Sequence, residues 1–186
     1  GVPQGSILGP LLFLRFRYLC VEGELLLYAD DTCLLYQHKS VDVIENHLNK
    51  DSRNLCDWFV DNKRNVHFGD DKTKTISFGS KYKIKNAKPL NIVYGDISIK
   101  QYTKVTYLGC ILENTLSGDS MALHVINKVN VRLNFLNFLK FLTKLLRRLL
   151  CNAIIQPFFN YASSAWYPNV NSNLTKRLQT AQNKCI

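Results

Sequence analysis

Between residues 25 and 36, two short apolar runs flank a compact acidic centre, Ala29-Asp30-Asp31. Apolar runs of this length on either side of turn-forming residues are typical of a β-hairpin, and aspartate is a common turn residue. We expect the two arms to be buried, which would leave Asp30 and Asp31 at the tip of a rigid support. Acidic turns are also frequent in ordinary hairpins, and Tyr28–Asp31 alone leave that alternative open.

The paired acids favour a cation site. Adjacent ionised carboxylates raise each other's pKa unless a cation lies between them. Carboxylate oxygens suit Mg²⁺, which takes one or two of them and keeps positions for phosphate oxygens. The hairpin therefore predicts a metal site for phosphoryl or nucleotidyl transfer, with Asp30 and Asp31 as ligands.

The first thirteen residues, Gly-Val-Pro-Gln-Gly-Ser-Ile-Leu-Gly-Pro-Leu-Leu-Phe, precede the Tyr-Ala-Asp-Asp hairpin. This pair of motifs, in this order, resembles the reverse transcriptase domain of non-LTR retrotransposons, a family of RNA-directed DNA polymerases. The resemblance implies an α+β fold, in which residues 1–118 form part of a palm with an antiparallel sheet and packing helices. Residues 119–186 would form an all-helical, thumb-like bundle.

The resemblance also assigns roles to individual residues. Asp30 would be the principal ligand of Mg²⁺ or Mn²⁺, with Asp31 a weaker ligand, and Lys72 would attend the leaving pyrophosphate as a general acid. A solvated lysine in a charged loop is the alternative at Lys72. The nucleotide and template pocket would be lined by Pro3, Gln4, Gly5 and Tyr28. The primer grip would be a hairpin that contains Tyr107, Leu108 and Gly109, for which an ordinary core strand is the alternative.

The formal net charge of +10 is unevenly distributed along the chain. Residues 1–36 carry two basic and four acidic residues, whereas residues 120–186 carry nine Lys and Arg residues and no acid. A basic, acid-free third of a chain is typical of a polyanion-binding surface. An anionic membrane is the competing partner, but no lipidation motif or membrane-spanning segment supports it. The candidate nucleic-acid-binding residues are Lys128, Arg132, Lys140, Lys144, Arg147, Arg148, Lys176 and Arg177.

Local patterns predict the elements between the motifs. Ser40 can cap a helix over Val41–Val60 whose apolar face carries Ile44, Leu48, Leu55, Trp58 and Phe59, while His47, Asn49 and Lys50 face away. Residues 75–78 are predicted as a strand and residues 79–90 as a Lys-rich loop. Gly95-Asp96 joins a second hairpin of residues 92–94 and 97–99. Residues 105–111 are predicted as one further strand.

From residue 120 onward the pattern is helical. Ala122, Ile126, Val129, Leu133 and Leu136 follow four- and three-residue spacing, which predicts an apolar seam. A second helix is expected near Leu145–Gln156, ending at Pro157. A third is expected near Leu174–Cys185, with Leu174, Leu178 and Ala181 on one face.

The six cysteines lack metal-ligand spacing and lie apart from the four histidines. We expect reduced, mostly buried thiols in an intracellular protein of the nucleus or cytoplasm, without a signal peptide. The partners implied by the resemblance are an RNA template, a DNA primer and deoxynucleoside triphosphates.

The chain lacks an initiating Met, and we expect it to be an excerpt of a longer polypeptide. The family also uses an Asp on a strand before the Pro-Gln-Gly segment, together with a fingers region. We therefore expect that these 186 residues alone do not polymerise. A non-catalytic nucleic-acid-binding module and a decayed retroelement fragment are the alternatives.

Overall fold

The computed structural model describes residues 21–29, 31–61, 72–94, 97–138 and 141–184. The chain divides into two compact units, the first from residues 1–75 and 86–102, the second from residues 76–85 and 103–186. Helices and two-stranded antiparallel sheets occur in both units, so the fold is α+β. The assignment of residues 1–118 to a palm and 119–186 to a thumb remains a prediction.

The first unit contains the two hairpins that the sequence predicts. Strands β1 (Glu24–Tyr28) and β2 (Asp31–Leu35) pair antiparallel, as do β3 (Ile92–Tyr94) and β4 (Ile97–Ile99). The residues between β3 and β4, Gly95 and Asp96, lie outside the described part of the chain.

The arms of the first hairpin are less buried than expected. Leu26 and Leu35 are exposed, whereas Leu25, Leu27 and Leu34 are only half-buried. The expectation of two buried arms was therefore wrong. Within the described residues, β1 and β2 form a sheet of two strands, and so narrow a sheet offers its side chains little surface to pack against.

Helix α1 (Val41–Asp61) closely matches its predicted range. Leu55 is buried, and Ile44, Leu48, Trp58 and Phe59 are half-buried, which confirms the apolar face. The backbone N–H of Ile44 donates to the carbonyl of Ser40 at 3.3 Å, so the helical hydrogen bonds begin at that serine.

The polar residues of α1 do not all face away from the fold, contrary to the prediction. Asn49 donates to the carbonyl of Asn91 at 3.0 Å and accepts from the N–H of Val93 at 2.8 Å. Glu45 accepts from the N–H of Asn91 at 3.0 Å. Amide and carboxylate side chains thus fasten α1 to β3, because a short strand at a sheet edge has backbone groups that need partners.

The predicted strand over residues 75–78 was also wrong. Thr75 alone makes a bridge, parallel to Gln101, in which its N–H donates to the carbonyl of Lys100 at 3.1 Å and its own carbonyl accepts from Tyr102 at 2.8 Å. Residues 76–78, which were predicted to continue the strand, are not in a strand.

In the second unit, residues 105–111 form a hairpin, which the resemblance of Tyr107, Leu108 and Gly109 to a primer-grip hairpin implies, whereas the residue pattern by itself predicted one strand. Strands β5 (Lys104–Tyr107) and β6 (Cys110–Glu113) pair antiparallel, and Tyr107 lies opposite Cys110. Leu108 and Gly109 between them have φ values of 47° and 75°. Positive φ at both central positions is what a type I′ turn requires, and glycine supplies it without strain.

The Lys-rich loop contains a short helix that the sequence analysis missed, α2 (Lys81–Asn86). Ser80 precedes it and accepts from two N–H groups: its hydroxyl from Lys83 at 3.3 Å and its carbonyl from Ile84 at 2.9 Å. Serine at such a position satisfies donors that the first turn leaves unpaired.

Helix α3 (Asp119–Phe138) organises the second unit. Its predicted seam is confirmed, since Ala122, Ile126, Val129 and Leu136 are buried and Leu133 packs against them. Strand β6 and the later helices pack on this seam.

The rest of the unit is helical. Thr143 caps α4 (Lys144–Ile154), which ends before Pro157, as expected. Pro157 lies in the first turn of the next short helix, where its missing N–H costs nothing. These elements complete the described part of the second unit: α5 (Gln156–Asn160), α6 (Ser163–Trp166), a 3₁₀ turn (Tyr167–Asn169) and α7 (Ser172–Asn183).

Helix α7 matches the third predicted helix, with Leu174, Leu178 and Ala181 buried. Asn171 caps it by accepting from the N–H of Leu174 at 2.9 Å, and the N–H of Asn171 itself donates to Asp119 at 2.9 Å. This backbone hydrogen bond is the main reason why the pKa of Asp119 is lowered. The chain thereby joins the start of α7 to the start of α3.

The described cysteines are free thiols, as expected, and Cys56, Cys110 and Cys151 are buried. Desolvation, assisted by the charge of Asp57, raises the pKa of Cys56 to about 11. Such a thiol stays protonated at neutral pH and is a packing residue. None of the helices in the described ranges is both long and apolar enough to cross a membrane.

Replacing Gly118 by Ala tests the packing of the second unit. A Cβ at Gly118 would lie 2.0 Å from the carbonyl oxygen of Trp166 and 2.8 Å from Cγ2 of Val170. We expect the free energy of unfolding to fall by about 3 kcal/mol, since backbone must move to accommodate the methyl group. Urea unfolding measures it, followed by tryptophan fluorescence in a Trp58→Phe background, where the signal comes from the buried Trp166. Gly79→Ala is the matched control, because the nearest atom there is 3.5 Å away. Equal stability of the two variants would contradict the packing described.

Candidate active site

The tip of the first hairpin presents Asp31 and Tyr28 to solvent. The two residues are paired across the strands, so the connection consists of Ala29 and Asp30. Ala29 has a φ of 51°, in the left-handed region that alanine rarely adopts. Asp30 lies outside the described residues. Asp31 is exposed, and no ion pair within the described ranges involves it.

Asp51 anchors this hairpin to α1. Its side chain is 1% exposed. Its carboxylate accepts from the N–H of Glu22, at 3.1 and 3.0 Å to the two oxygens, and from the N–H of Gly23 at 2.9 Å. Two backbone N–H groups immediately before β1 therefore provide hydrogen bonds to a buried carboxylate whose desolvation would otherwise be costly.

Gly23 lets the chain pass closely enough for this contact. A Cβ at this position would lie 2.7 Å from the carbonyl oxygen of Leu35 and 3.5 Å from the Asp51 carboxylate. The absence of a side chain thus brings the start of β1 against both the end of β2 and the buried carboxylate.

A second polar layer surrounds the anchor. The Glu22 carboxylate contacts both Lys50 and Nδ1 of His47, and the His47 ring stacks on Tyr36 with centroids 4.8 Å apart. The hydrogen bond from Lys50 is the main cause of the lowered pKa of Glu22, and the same bond raises the pKa of Lys50. His47 and Lys50 were predicted to face away, but both join α1 to the residue that precedes Gly23.

The remaining predicted active-site residues are not brought to the tip by any described contact. Pro3, Gln4 and Gly5 lie outside the described residues. Lys72 is exposed, and no ion pair in the described ranges joins it to Asp31. Within the same ranges, no three His, Cys, Asp or Glu side chains form a group that could hold a metal ion.

The candidate primer grip is the turn between β5 and β6. The hydroxyl of Tyr161 donates to the carbonyl of Leu108 at 2.6 Å. The ring of Tyr161 also lies beside Gly109, since a Cβ there would be 3.6 Å from its Cε1. Tyr107 ends β5 directly before this turn, half-buried. Tyr161 was missed by sequence reasoning, because its partner is a carbonyl 53 residues away.

Most of the candidate nucleic-acid-binding cations are exposed. Arg147 is half-buried, and Lys140 lies outside the described residues. Arg132 packs its guanidinium 4.0 Å from the centre of the Phe158 ring and donates to the carbonyl of Lys128 at 3.1 Å. The exposed members of the set are Lys128, Lys144, Arg148, Lys176 and Arg177.

A comparison with curated proteins finds similarity over almost the whole of this chain. The chain is similar to a probable RNA-directed DNA polymerase from transposon X-element of Drosophila melanogaster, with 24% identity over 200 residues. The alignment covers 99% of this chain and 21% of the relative, so the chain spans about a fifth of the relative's length. No family model matches the chain, and no solved structure matches it.

Asp51 is a residue that the sequence analysis overlooked, although a signal was present. It lies three residues after Leu48 and four before Leu55, so helical spacing assigns it to the apolar face of α1. A carboxylate on the core side of a helix needs donors from another element, and here the start of β1 supplies them.

Replacing Asp51 by Asn should destabilise the first unit. The amide keeps one acceptor oxygen but turns an N–H₂ group toward backbone donors, and charge-assisted hydrogen bonds are lost. We expect the free energy of unfolding to fall by about 2–3 kcal/mol. Hydrogen exchange at the Gly23 amide should also accelerate. Asp57→Asn, at an exposed position of the same helix, is the control. It should change the free energy of unfolding by no more than about 0.5 kcal/mol and leave the exchange rate at Gly23 unaltered. Unchanged exchange at Gly23 in the Asp51 variant would show that the carboxylate does not hold this strand.

Proposed function

We propose that this chain is the palm and thumb part of an RNA-directed DNA polymerase. The observation that carries the proposal is the two-residue hairpin that exposes Asp31 beside Tyr28, in a chain similar over its length to such a polymerase. Residues 1–118 supply the palm, and residues 119–186 supply the thumb. The turn at Leu108 and Gly109 serves as the primer grip, although it packs with the helical unit.

The donor chemistry at the tip fits a divalent metal ion. Asp31 is an exposed carboxylate without a described ion-pair partner, and the sequence places Asp30 directly beside it. A pair of Mg²⁺ or Mn²⁺ ions, when bound, would activate the primer hydroxyl and stabilise the charge on the triphosphate. The chain's own residues would hold these ions through Asp30 and Asp31.

The other proposed roles follow from the resemblance. Tyr28 would pack near the primer end, Pro3, Gln4 and Gly5 would line the nucleotide pocket, and Lys72 would donate a proton to the leaving pyrophosphate. Because the family also uses an Asp on another strand, which these residues do not include, we do not expect polymerisation by these 186 residues alone.

A non-catalytic nucleic-acid-binding module is a second candidate function. It is favoured by one specific observation: residues 120–186 combine nine Lys and Arg residues with no acid, independently of the hairpin. Binding of a template–primer duplex that is unchanged in Asp30→Ala and Asp31→Ala variants, together with absent metal binding, would favour this candidate.

Metal binding by the hairpin can be measured directly. We expect Mn²⁺ to bind the chain and Asp31→Asn or Asp30→Asn to weaken that binding at least about tenfold, because each variant removes a charged oxygen ligand. Electron paramagnetic resonance of free Mn²⁺ during a titration gives the affinity. Asp42→Asn, an exposed acid in the first turn of α1, is the matched control and should bind Mn²⁺ like the unmodified chain. Identical titrations for all of these proteins would exclude the hairpin as a metal site.

Binding to an RNA–DNA duplex tests the thumb assignment. Removing a lysine or arginine that neutralises a phosphate lowers the slope of log affinity against log salt by about 1. We therefore expect Lys176→Gln with Arg177→Gln to reduce the slope by about 2. Lys39→Gln with Lys88→Gln removes the same charge from residues outside 120–186 and should leave the slope nearly unchanged. Equal reductions by both pairs would mean that net charge alone determines binding.

A further inference from the structure

Helix α3 carries a second apolar stripe on the side opposite its core. Val131, Phe135 and Phe138 are spaced by four and three residues, so they share one helical face, and all three are exposed. Phe135 is 57% exposed, Phe138 is 81% exposed, and Phe141, three residues further on, is 79% exposed. We call Val131, Phe135, Phe138 and Phe141 the aromatic face.

The aromatic face is unlike a scatter of single exposed hydrophobic residues. Three phenylalanines within seven positions are left in water, whereas exposed hydrophobic residues that need no explanation are scattered singly. Exposure is costly for such large rings, because each could bury well over 100 Å² of surface. A partner with flat apolar surfaces would recover that free energy.

Exposed cations precede and follow the aromatic face along the chain, and their charge favours an anionic partner. Lys128 lies one turn before Val131 on the same side of α3, and Lys144 and Arg148 follow Phe141 on α4; all three are exposed. No acidic residue occurs between positions 120 and 186. A nucleic-acid strand combines negative charge with flat apolar base faces. In a duplex the base faces are covered by stacking, whereas an unpaired strand offers both phosphates and free base faces.

We propose that the aromatic face binds an unpaired nucleic-acid strand by stacking its bases on Phe138 and Phe141, while Lys128, Lys144 and Arg148 contact the phosphates. The inference rests on the proposed nucleic-acid-binding function and adds a single-stranded subsite to it. The spacing is suitable: Phe135 and Phe138 are separated by a rise of about 4.5 Å along the helix. The Cα atoms of Phe138 and Phe141 can be at most about 11 Å apart. A run of a few nucleotides spans both separations.

Fluorescence anisotropy with a labelled oligothymidylate of about 20 nucleotides tests the proposal, since that length exceeds common single-strand sites. The comparison probe is a blunt RNA–DNA duplex. We expect Phe138→Ala with Phe141→Ala to weaken oligothymidylate binding by about tenfold or more. Duplex binding should change by less than about twofold, because its phosphate contacts remain.

Two further variants separate stacking from simple hydrophobic contact. Phe138→Leu with Phe141→Leu keeps apolar bulk but removes the rings, and it should lose oligothymidylate affinity like the alanine pair. Val131→Ala removes apolar surface from the same face without removing a ring and should bind normally. Full affinity in the leucine pair, or an equal loss in the Val131 variant, would overturn the stacking proposal.

The remaining outcomes each decide something different. If the phenylalanine variants leave oligothymidylate binding unchanged while the duplex still binds in a salt-dependent manner, this inference fails and the proposed function stands. If neither probe binds the unmodified chain, the proposed function fails as well. If the phenylalanine variants keep oligothymidylate binding but lose binding to anionic phospholipid vesicles, the aromatic face belongs to a membrane contact. If they keep oligothymidylate binding but lose self-association in light scattering, it belongs to a contact with a second copy of the chain.

Discussion

The carboxylate of Asp51 fixes where the acidic hairpin begins. A buried charge without partners would cost several kcal/mol, so the N–H groups of Glu22 and Gly23 must stay against it whenever the first unit is folded. Because these donors immediately precede β1, the strand cannot slip by one residue without losing them. A slip would also reverse which side chains face the sheet's two sides. The position of Asp31 at the tip thus depends on a contact at the opposite end of the strand.

The sequence predicted those elements whose determinants are local. Both hairpins of the first unit follow from apolar runs separated by turn residues, and α1, α3 and α7 follow from apolar residues at helical spacing. The seam of α3 was correct because one helix face supplies most of the second unit's core. Asp31 could be placed beside a turn from the sequence alone, because the turn residues and the apolar runs that flank them are local signals.

The elements that were missed depend on distant partners or on weak local signals. Thr75 pairs with Gln101, so the extent of its pairing is set by a segment 26 residues away. The turn at Leu108 and Gly109 lacks the Asn-Gly or Asp-Gly signal that identifies a hairpin, and its neighbours are apolar enough to suggest one strand. Asp51 interrupts an apolar stripe, and sequence alone does not say which donors will face it. Pro3, Gln4, Gly5 and Asp30 lie outside the described residues, so their arrangement stays a prediction.

Two of the described non-glycine residues with positive φ lie in the turns of the candidate sites. Ala29 and Leu108 have φ values of 51° and 47°, a region in which an L-residue with a Cβ costs about 1–2 kcal/mol. Such strain persists only where the surroundings over-determine the conformation. At Leu108 the hydrogen bond from Tyr161 provides that constraint, and at Ala29 it comes from the paired strands and the Asp51 anchor. Of the two turns, one carries the acidic pair and the other is the candidate primer grip. Leu116 and Ala162 have φ values of 55° and 48° and lie outside both turns, so a positive φ by itself does not mark a functional position in this chain. What distinguishes Ala29 and Leu108 is that each is held by a contact from outside its own turn.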